Sequence, residues 1–151
     1  MVFQNLKALK AQKAITFPPS DWLIVHQQMV NAFADATLDH QWIHTDPQRA
    51  KNESPFGGTV AHGFMSLSLL TRLMESMVTI KSSKMGMNYG LNKVRFPSPV
   101  RVGSRLRLHA TPIDFEEFPN NGLKITFHCI VEIENQEKPA CVAEWITLVF
   151  E

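Results

Sequence analysis

The spacing of hydrophobic residues changes about half-way along the chain, from helical to alternating. Apolar positions three and four residues apart predict one helix at Gln27–Ala36 and a second at Phe64–Ile80. The second helix has only a narrow polar stripe, which is typical of a helix that packs on most of its sides. At 1.5 Å per residue it would be about 25 Å long, enough to cross a small domain. A short strand is predicted earlier, at Trp22–Val25.

The second half of the chain predicts long strands. Apolar residues occupy alternate positions from Ile125 to Ile133, and most positions between them are polar, as in a strand with one buried face. Similar runs predict strands at Leu106–Ala110 and Tyr89–Phe96. The run Cys141–Phe150 is apolar on both faces and predicts a strand inside the sheet, and Asn121-Gly122 predicts a hairpin turn. One buried helix beside such a sheet indicates an α+β fold.

The first twenty residues are predicted to extend a single domain that spans residues 1–151. Leu6 and Leu9 lie among Lys7, Lys10 and Lys13, which predicts a short amphipathic helix on the surface. This segment lacks the apolar core and the cleavage site of a secretory signal. No stretch of the chain approaches the roughly 18 consecutive apolar residues of a membrane span. A cytoplasmic protein without a membrane partner is therefore expected.

The composition is that of an ordinary globular protein. Of 151 residues, 44% are hydrophobic, and 15 basic against 14 acidic residues leave a net charge of +1. Because there is no clustered basic excess, a nucleic-acid partner is not expected. Cys129 and Cys141 lie in apolar stretches and form no C-x-x-C motif. Two buried thiols in a reducing compartment are therefore expected.

The segment between the two predicted helices, residues 38–63, is polar and has no period. Such a long irregular segment in a compact domain usually has a function. It contains Asp39 and His44, spaced D-x4-H, and His62 directly before Gly63. A carboxylate and an imidazole could hold a water and act as an acid–base pair. At the start of the helix, the Gly63 N–H has no intrahelical partner and no Cβ beside it, so it could bind a developing oxyanion.

Three runs carry a resemblance to a known family: FADATLDHQWIHTDPQRA, FGGTVAHGFMSLSLL and NYGLNKVRFPSPVRVGSRLRL. They resemble the MaoC-like dehydratases, also called R-specific enoyl-CoA hydratases, and within these the nodulation protein N-like branch. The resemblance extends from about Trp22 to the end of the chain. It implies a hotdog fold, in which a curved antiparallel sheet wraps a long central helix, and it implies a homodimer. It also implies reversible hydration of trans-2-enoyl-CoA to (R)-3-hydroxyacyl-CoA, without a metal or redox cofactor.

The resemblance assigns roles to particular residues. Asp39 and His44 activate the water, and the N–H of Gly63 binds the thioester oxygen. The substrate-binding residues that we expect are His62, Phe56, Gly58 and Ala61. The chain departs from the family at Leu38, where a glycine is frequent, and at Gln41-Trp42, where Asn-Pro is frequent. These departures leave the acyl preference open.

Other interpretations stay open from the sequence. Asp39 could cap a turn with His44 as an ordinary loop histidine, and His62 either orients the loop or lies beside the substrate. Asp46, which precedes a proline, is a better helix N-cap than a catalyst. A zinc site built from His40, His44, Asp46 and His62 is disfavoured because no metal-binding motif is present. The alternative functions are a hotdog acyl-CoA thioesterase and a non-catalytic acyl-thioester-binding protein.

Overall fold

The computed structural model describes residues 1–12 and 15–151. In this part of the chain the strands are β1 (Val2–Phe3), β2 (Leu23–Ile24), β3 (Thr79–Ile80), β4 (Met85–Arg95), β5 (Arg105–Phe118), β6 (Gly122–Ile133) and β7 (Cys141–Phe150). The helices are α1 (Leu6–Lys10), α2 (Gln27–Thr37), α3 (Trp42–Thr45), α4 (Pro47–Glu53), α5 (Gly63–Ser68) and α6 (Leu70–Met74). None of these helices is long and apolar enough to cross a membrane.

An antiparallel five-stranded sheet in the order β2-β5-β6-β7-β4 forms one layer of the fold. Alternate residues of β6, β7 and the first half of β5 are buried and pack with the apolar residues of α5 and α6, which form the other layer. Because strand side chains alternate between faces, a period of two is sufficient to bury one face of each strand. This is the predicted α+β arrangement, and β7 lies inside the sheet as predicted.

The predicted helix Phe64–Ile80 is wrong in its bounds. The helical segment begins at Gly63, is interrupted at Leu69 and ends at Met74. The interruption is slight, because Leu69 keeps right-handed helical angles and its carbonyl accepts a hydrogen bond of 2.9 Å from the N–H of Leu73. Thr79–Ile80 forms β3, which pairs in parallel with β1. β-branched residues favour that conformation, and the distant partner strand cannot be read from local periodicity.

The N-terminal segment packs into the same core as the sheet. α1 forms where it was predicted, but its Leu6 and Leu9 are buried together with Phe3 and Phe17. Lys10 reaches outward to Glu117 at 2.8 Å. The helix is therefore amphipathic, and its apolar side packs into the core. Lys13, which belonged to the predicted helix, lies outside the described residues.

The predicted hairpin between β5 and β6 is confirmed, with a different role for its glycine. The residues with positive φ are Asn120 (59°) and Asn121 (57°), and asparagine tolerates this region better than most residues. Gly122 opens β6 instead. A Cβ at Gly122 would lie 2.8 Å from the ring of Phe150, so glycine is required there by packing.

β5 is longer than the predicted strand Leu106–Ala110. It continues to Phe118, and its register with β6 shifts between Pro112 and Asp114. A bulge places two residues opposite one, so it interrupts the alternation of apolar and polar residues. This irregularity explains why the second half of β5 has no clear strand pattern.

Both cysteines are free and buried, as expected. Burial raises the pKa of the Cys129 thiol to about 12 and that of the Cys141 thiol to about 11. Both thiols therefore stay protonated near neutral pH and act as small apolar core residues.

Helix α2 ends in a strained conformation at Leu38. This residue adopts the left-handed region with φ 61° and ψ 21°, and its side chain is 81% exposed. The left-handed region favours glycine at a helix C-terminus. The departure from the family at this position is therefore a leucine in a backbone conformation suited to glycine, immediately before Asp39.

We predict that Leu38→Gly raises the free energy of unfolding by about 0.5–1 kcal/mol. Relief of the left-handed strain exceeds the extra entropy of glycine in the unfolded chain, and an exposed side chain loses little packing. Urea denaturation measures the effect. Leu38→Ala is the control, because it keeps the Cβ and should stay near the parent protein. A glycine variant less stable than the alanine variant would contradict the prediction.

Candidate active site

Three polar residues that are far apart in the sequence meet at one place. Asp39 follows α2, His44 lies on α3, and His62 directly precedes α5. The side-chain ligand atoms of these residues all lie within 4.8 Å of one another. Both histidines are buried, whereas the Asp39 side chain is 54% exposed. The cluster therefore combines two buried imidazoles with a carboxylate that faces solvent.

The hydrogen bond from His44 to the backbone decides its tautomer. Its Nδ1 lies 2.6 Å from the carbonyl oxygen of Val60. A carbonyl can only accept, so Nδ1 carries the proton and Nε2 of the neutral ring has a free lone pair. Burial lowers the pKa of His44 below its usual 6.5; the Val60 hydrogen bond opposes this shift, His62 adds to it, and Asp39 opposes it. His44 is thus held as a neutral base.

His62 connects the other two members of the cluster. Its ring stacks on that of His44, with centroids 3.7 Å apart and planes 25° apart. Its Nε2 donates to the backbone oxygen of Asp39 at 2.9 Å and lies 3.8 Å from the Asp39 carboxylate. The remaining nitrogen, Nδ1, is buried without a hydrogen-bond partner among the described residues. The loop-orienting hydrogen bond proposed for His62 is therefore present.

Gly63 begins α5, and the packing around it explains why a glycine is present there. A Cβ at Gly63 would lie 3.1 Å from the ring of Phe96, so the glycine allows this aromatic ring to pack against the start of the helix. The sequence had suggested approach of a ligand oxygen as the reason. As the first residue of the helix, Gly63 has an N–H without an intrahelical partner, and the His62 side chain does not cap the helix. This donor is available to a ligand.

The remaining predicted substrate-binding residues lie in the segment that leads to His62. Phe56 and Gly58 belong to the turn before Val60, and Arg101 donates to the Gly57 carbonyl oxygen of this turn at 3.0 Å. Ala61 is buried and donates its N–H to Val100 at 2.8 Å. Phe56 and Gly58 therefore flank the segment that leads to His62, and their predicted contact with substrate stays a prediction.

Sequence reasoning missed two supporting groups. Gln27 donates to the His44 carbonyl at 2.7 Å and accepts from the Thr59 hydroxyl at 2.5 Å, which ties α2 to both sides of the site. The carbonyl of Val60 fixes the His44 ring. A polar residue in the first turn of a helix resembles any solvent-facing glutamine, and a backbone acceptor leaves no signal in residue type. Neither could be recognised without coordinates.

Only His44 and His62 of the metal-ligand set considered from the sequence come together. His40 pairs with Asp35 on the surface at 2.9 Å. The Asp46 side chain accepts from the Arg49 N–H at 2.9 Å, which confirms Asp46 as the N-cap of α4. Among the described residues the spacing for a metal ion occurs instead at the cluster of Asp39, His44 and His62.

Comparison with known proteins places the chain in a family. The model of the MaoC-like domain matches residues 8–124, most of the chain. The chain belongs to the MaoC-like domain family. This MaoC-like protein is 51% identical over 144 residues to 3-hydroxyacyl-thioester dehydratase Z of Mycobacterium tuberculosis. The alignment covers 95% of each chain. It is 48% identical over 131 residues to nodulation protein N of Rhizobium leguminosarum bv. viciae, covering 86% of this chain and 81% of that protein.

Solved structures support the same fold for this MaoC-like protein. The monoamine oxidase regulatory protein from Archaeoglobus fulgidus superimposes with a TM-score of 0.78 at 22% identity, over 99% of this chain and 95% of that one. The (R)-hydratase from A. caviae involved in PHA biosynthesis gives a TM-score of 0.66 at 20% identity. The superposition covers 90% of this chain and 97% of the hydratase. The predicted hotdog fold, the family with its nodulation protein N-like branch, and the hydro-lyase class are confirmed.

We predict that His44 titrates with a midpoint below 6.5, because burial favours the neutral imidazole. NMR titration of the ring nitrogens measures this midpoint and should report the proton on Nδ1 above it. Asp39→Asn should move the midpoint further down, since the carboxylate favours the imidazolium. A midpoint at or above 6.5 in the parent protein, or an upward shift in the variant, would contradict the assignment.

Proposed function

We propose that this protein catalyses the reversible hydration of a trans-2-enoyl-CoA to an (R)-3-hydroxyacyl-CoA. The observation that carries the proposal is the Asp39–His44 pair, whose side-chain ligand atoms lie within 4.8 Å of each other with His44 Nε2 free to accept a proton. Two hydrogen bonds of about 2.8 Å to one bridging water would span such a gap. The pair therefore suits a single activated water.

The reaction needs one proton to leave water and one to reach carbon. The water oxygen bonds to C3, the C2=C3 electron pair moves towards the thioester carbonyl, and C2 takes a proton. The Asp39–His44 pair accepts the proton from water and returns one to C2, so the pair ends in its starting protonation state. Acid–base groups are sufficient for these steps, and the proposal includes no metal or redox cofactor.

The developing negative charge falls on the thioester oxygen. The N–H of Gly63, next to the cluster in sequence and free of an intrahelical partner, is the donor that we assign to it. His62 contacts both the acid–base pair and the oxyanion donor. It stacks on His44, donates a hydrogen bond to the Asp39 backbone and directly precedes Gly63 in the chain. We therefore assign His62 to positioning.

The relatives support the substrate class. One is named a 3-hydroxyacyl-thioester dehydratase, at 51% identity over nearly the whole chain. Dehydration and hydration are the two directions of one reaction, so the same groups serve both. Coenzyme A as the carrier and the R configuration of the product come from the family resemblance and belong to the proposal.

We also propose that the protein forms a homodimer. Strand β4 lies at the edge of the sheet, and its side chains Met87, Tyr89 and Leu91 are 46%, 56% and 42% exposed. An exposed apolar edge strand offers both unpaired backbone groups and hydrophobic area to another chain. A second copy presenting the same edge would cover both.

We predict that Asp39→Asn and His44→Gln each lower kcat/KM for crotonyl-CoA by at least about 100-fold, because each removes one member of the acid–base pair. Loss of the conjugated thioester absorbance measures the rate, and chiral analysis of the product checks the R configuration. His40→Gln is a matched control: this histidine is nearby in sequence but exposed and paired with Asp35, and its activity should match the parent protein.

Three results would contradict the assignment. A double variant with full activity would remove both residues from the mechanism. Release of free thiol from a saturated acyl-CoA, without hydration of crotonyl-CoA, would indicate a thioesterase. Binding of acyl-CoA with no turnover by the parent protein would indicate a non-catalytic acyl-thioester-binding protein.

We predict that the parent protein sediments as a dimer and that Tyr89→Lys shifts it towards the monomer, because a lysine on an edge strand opposes pairing. Sedimentation equilibrium measures the change. Ile24→Lys is the control, since Ile24 is an exposed apolar residue on the opposite edge strand, β2. A monomeric parent protein, or equal dissociation of both variants, would exclude this interface.

A further inference from the structure

Gln27 begins α2 and lies at the start of the stretch of chain that carries the proposed acid–base pair. The helix ends at Thr37, Asp39 follows it by two residues, and His44 lies on α3. The Nε2 of Gln27 donates to the backbone carbonyl of His44 at 2.7 Å. This hydrogen bond joins residues 17 positions apart. Both members of the acid–base pair therefore lie on a stretch of chain that one side chain closes into a loop.

The oxygen of the same amide binds the segment that orients the His44 ring. Gln27 Oε1 accepts a hydrogen bond of 2.5 Å from the hydroxyl of Thr59, which is buried. Thr59 directly precedes Val60, whose carbonyl accepts from His44 Nδ1 at 2.6 Å. One side chain therefore contacts both the backbone of His44 and the residue next to the acceptor of its imidazole.

Both N–H groups and the oxygen of the Gln27 amide are used in hydrogen bonds. The second N–H donates to Asn31 Oδ1 at 2.8 Å, on the exposed side of the helix. A backbone carbonyl can only accept, so the nitrogen of the amide faces His44 and the oxygen faces Thr59. A carboxylate in this place could accept but not donate, and a methionine side chain is only a weak acceptor. The two contacts together therefore require an amide.

Backbone hydrogen bonds fix the spacing that the Gln27 side chain spans. The N–H of Val102 donates to the Thr59 carbonyl at 2.9 Å. The N–H of the next residue, Gly103, donates at 2.8 Å to the carbonyl of Val25, two residues before Gln27. The segment 102–103 therefore holds Thr59 beside the start of α2, and the amide extends from this fixed pair of segments to α3.

We propose that Gln27 is a positioning residue for the hydration reaction, acting through His44 and without contact with the substrate. The proposal rests on the proposed hydratase function. The bond to the His44 carbonyl holds the backbone from which the imidazole extends, and the bond from Thr59 holds the segment whose carbonyl fixes the ring. Loss of the amide lets the imidazole move relative to the water and to C2. A displacement of about 1 Å can lower the rate by roughly 100-fold.

Two replacements of Gln27 keep the size of the side chain and remove different contacts. Gln27→Met removes the donors and the strong acceptor, whereas Gln27→Glu keeps the acceptor for Thr59 and removes only the donors. A negative charge in the first turn of α2 interacts favourably with the helix dipole, which offsets part of the stability lost in Gln27→Glu. The N–H of Val60 still donates to the Ile43 carbonyl at 3.0 Å, so α3 keeps a backbone attachment to the site.

The test measures kcat and KM for crotonyl-CoA. Gln27→Met and Gln27→Glu should each lower kcat by at least about tenfold and change KM by less than about threefold, because the lost contacts act on His44 and not on the substrate. Thr59→Val should also lower kcat, and Thr59→Ser, which keeps the hydroxyl, should recover most of that loss. Gln28→Glu makes the same change at the exposed neighbouring residue and should match the parent protein.

Nitrogen NMR of the His44 ring gives a second result that does not depend on turnover. The neutral ring of the parent protein should carry its proton on Nδ1, and in Gln27→Met it should become a mixture of the two neutral tautomers. This change is expected even if the protein does not hydrate crotonyl-CoA, so the failure of the proposed function is distinguishable from the failure of this inference. An unchanged tautomer in Gln27→Met would overturn the positioning role.

Two kinetic results would overturn the positioning role while keeping the hydratase. One is hydration of crotonyl-CoA with the kcat of the parent protein in both Gln27 variants. The other is an equal loss of kcat in Thr59→Ser and Thr59→Val, which would show that the hydroxyl bonded to Gln27 has no part in the effect.

Discussion

The hydrogen bond from His44 to the carbonyl of Val60 joins the two halves of the candidate active site. It connects α3, which carries His44, to the segment that returns towards α5, and at 2.6 Å it fixes the proton on Nδ1. Because the ring is buried, charging it is unfavourable, and the free Nε2 remains a base. The fixed ring of His44 stacks on that of His62, and His62 in turn donates to the Asp39 backbone. These contacts connect the backbone acceptor at Val60 to all three residues of the proposed acid–base cluster.

The helical segment that starts directly after His62 borders two cavities on the side that faces β4. The segment begins at Gly63, the proposed oxyanion donor, and continues past the two cavities to Met74. Strand β4 forms the other wall. Its exposed apolar residues, which carry the proposed subunit contact, also border these cavities: Met87 lines one, and Tyr89 and Leu91 line the other. The edge strand that carries the proposed subunit contact therefore also borders both cavities.

Local patterns predicted most of the elements because the physical causes are local. Alternation in β6, the N-cap at Asp46 and the helical period of α2 each depend on neighbouring residues alone. The errors arose where a distant partner decided the structure. Thr79–Ile80 forms a strand because the first residues of the chain pair with it. The register shift after Pro112 interrupts the alternation of apolar and polar residues in the second half of β5, so the pattern did not predict that half. The positive φ of Leu38 likewise could not be predicted from the presence of a leucine at that position.

The sequence by itself determined the fold class, the family and the residue types of the candidate site, since spacing and motif are properties of the chain. Only the tertiary structure decided the tautomer of His44, the stacking of His62 and the reason for glycine at position 63, where the ring of Phe96 packs. It also decided that Gly86 and Gly90 border a space rather than a packed neighbour. The physical reason is the same in each case: a contact depends on the distance between atoms that the chain order separates, and backbone acceptors and empty volume are not encoded in the identity of one residue.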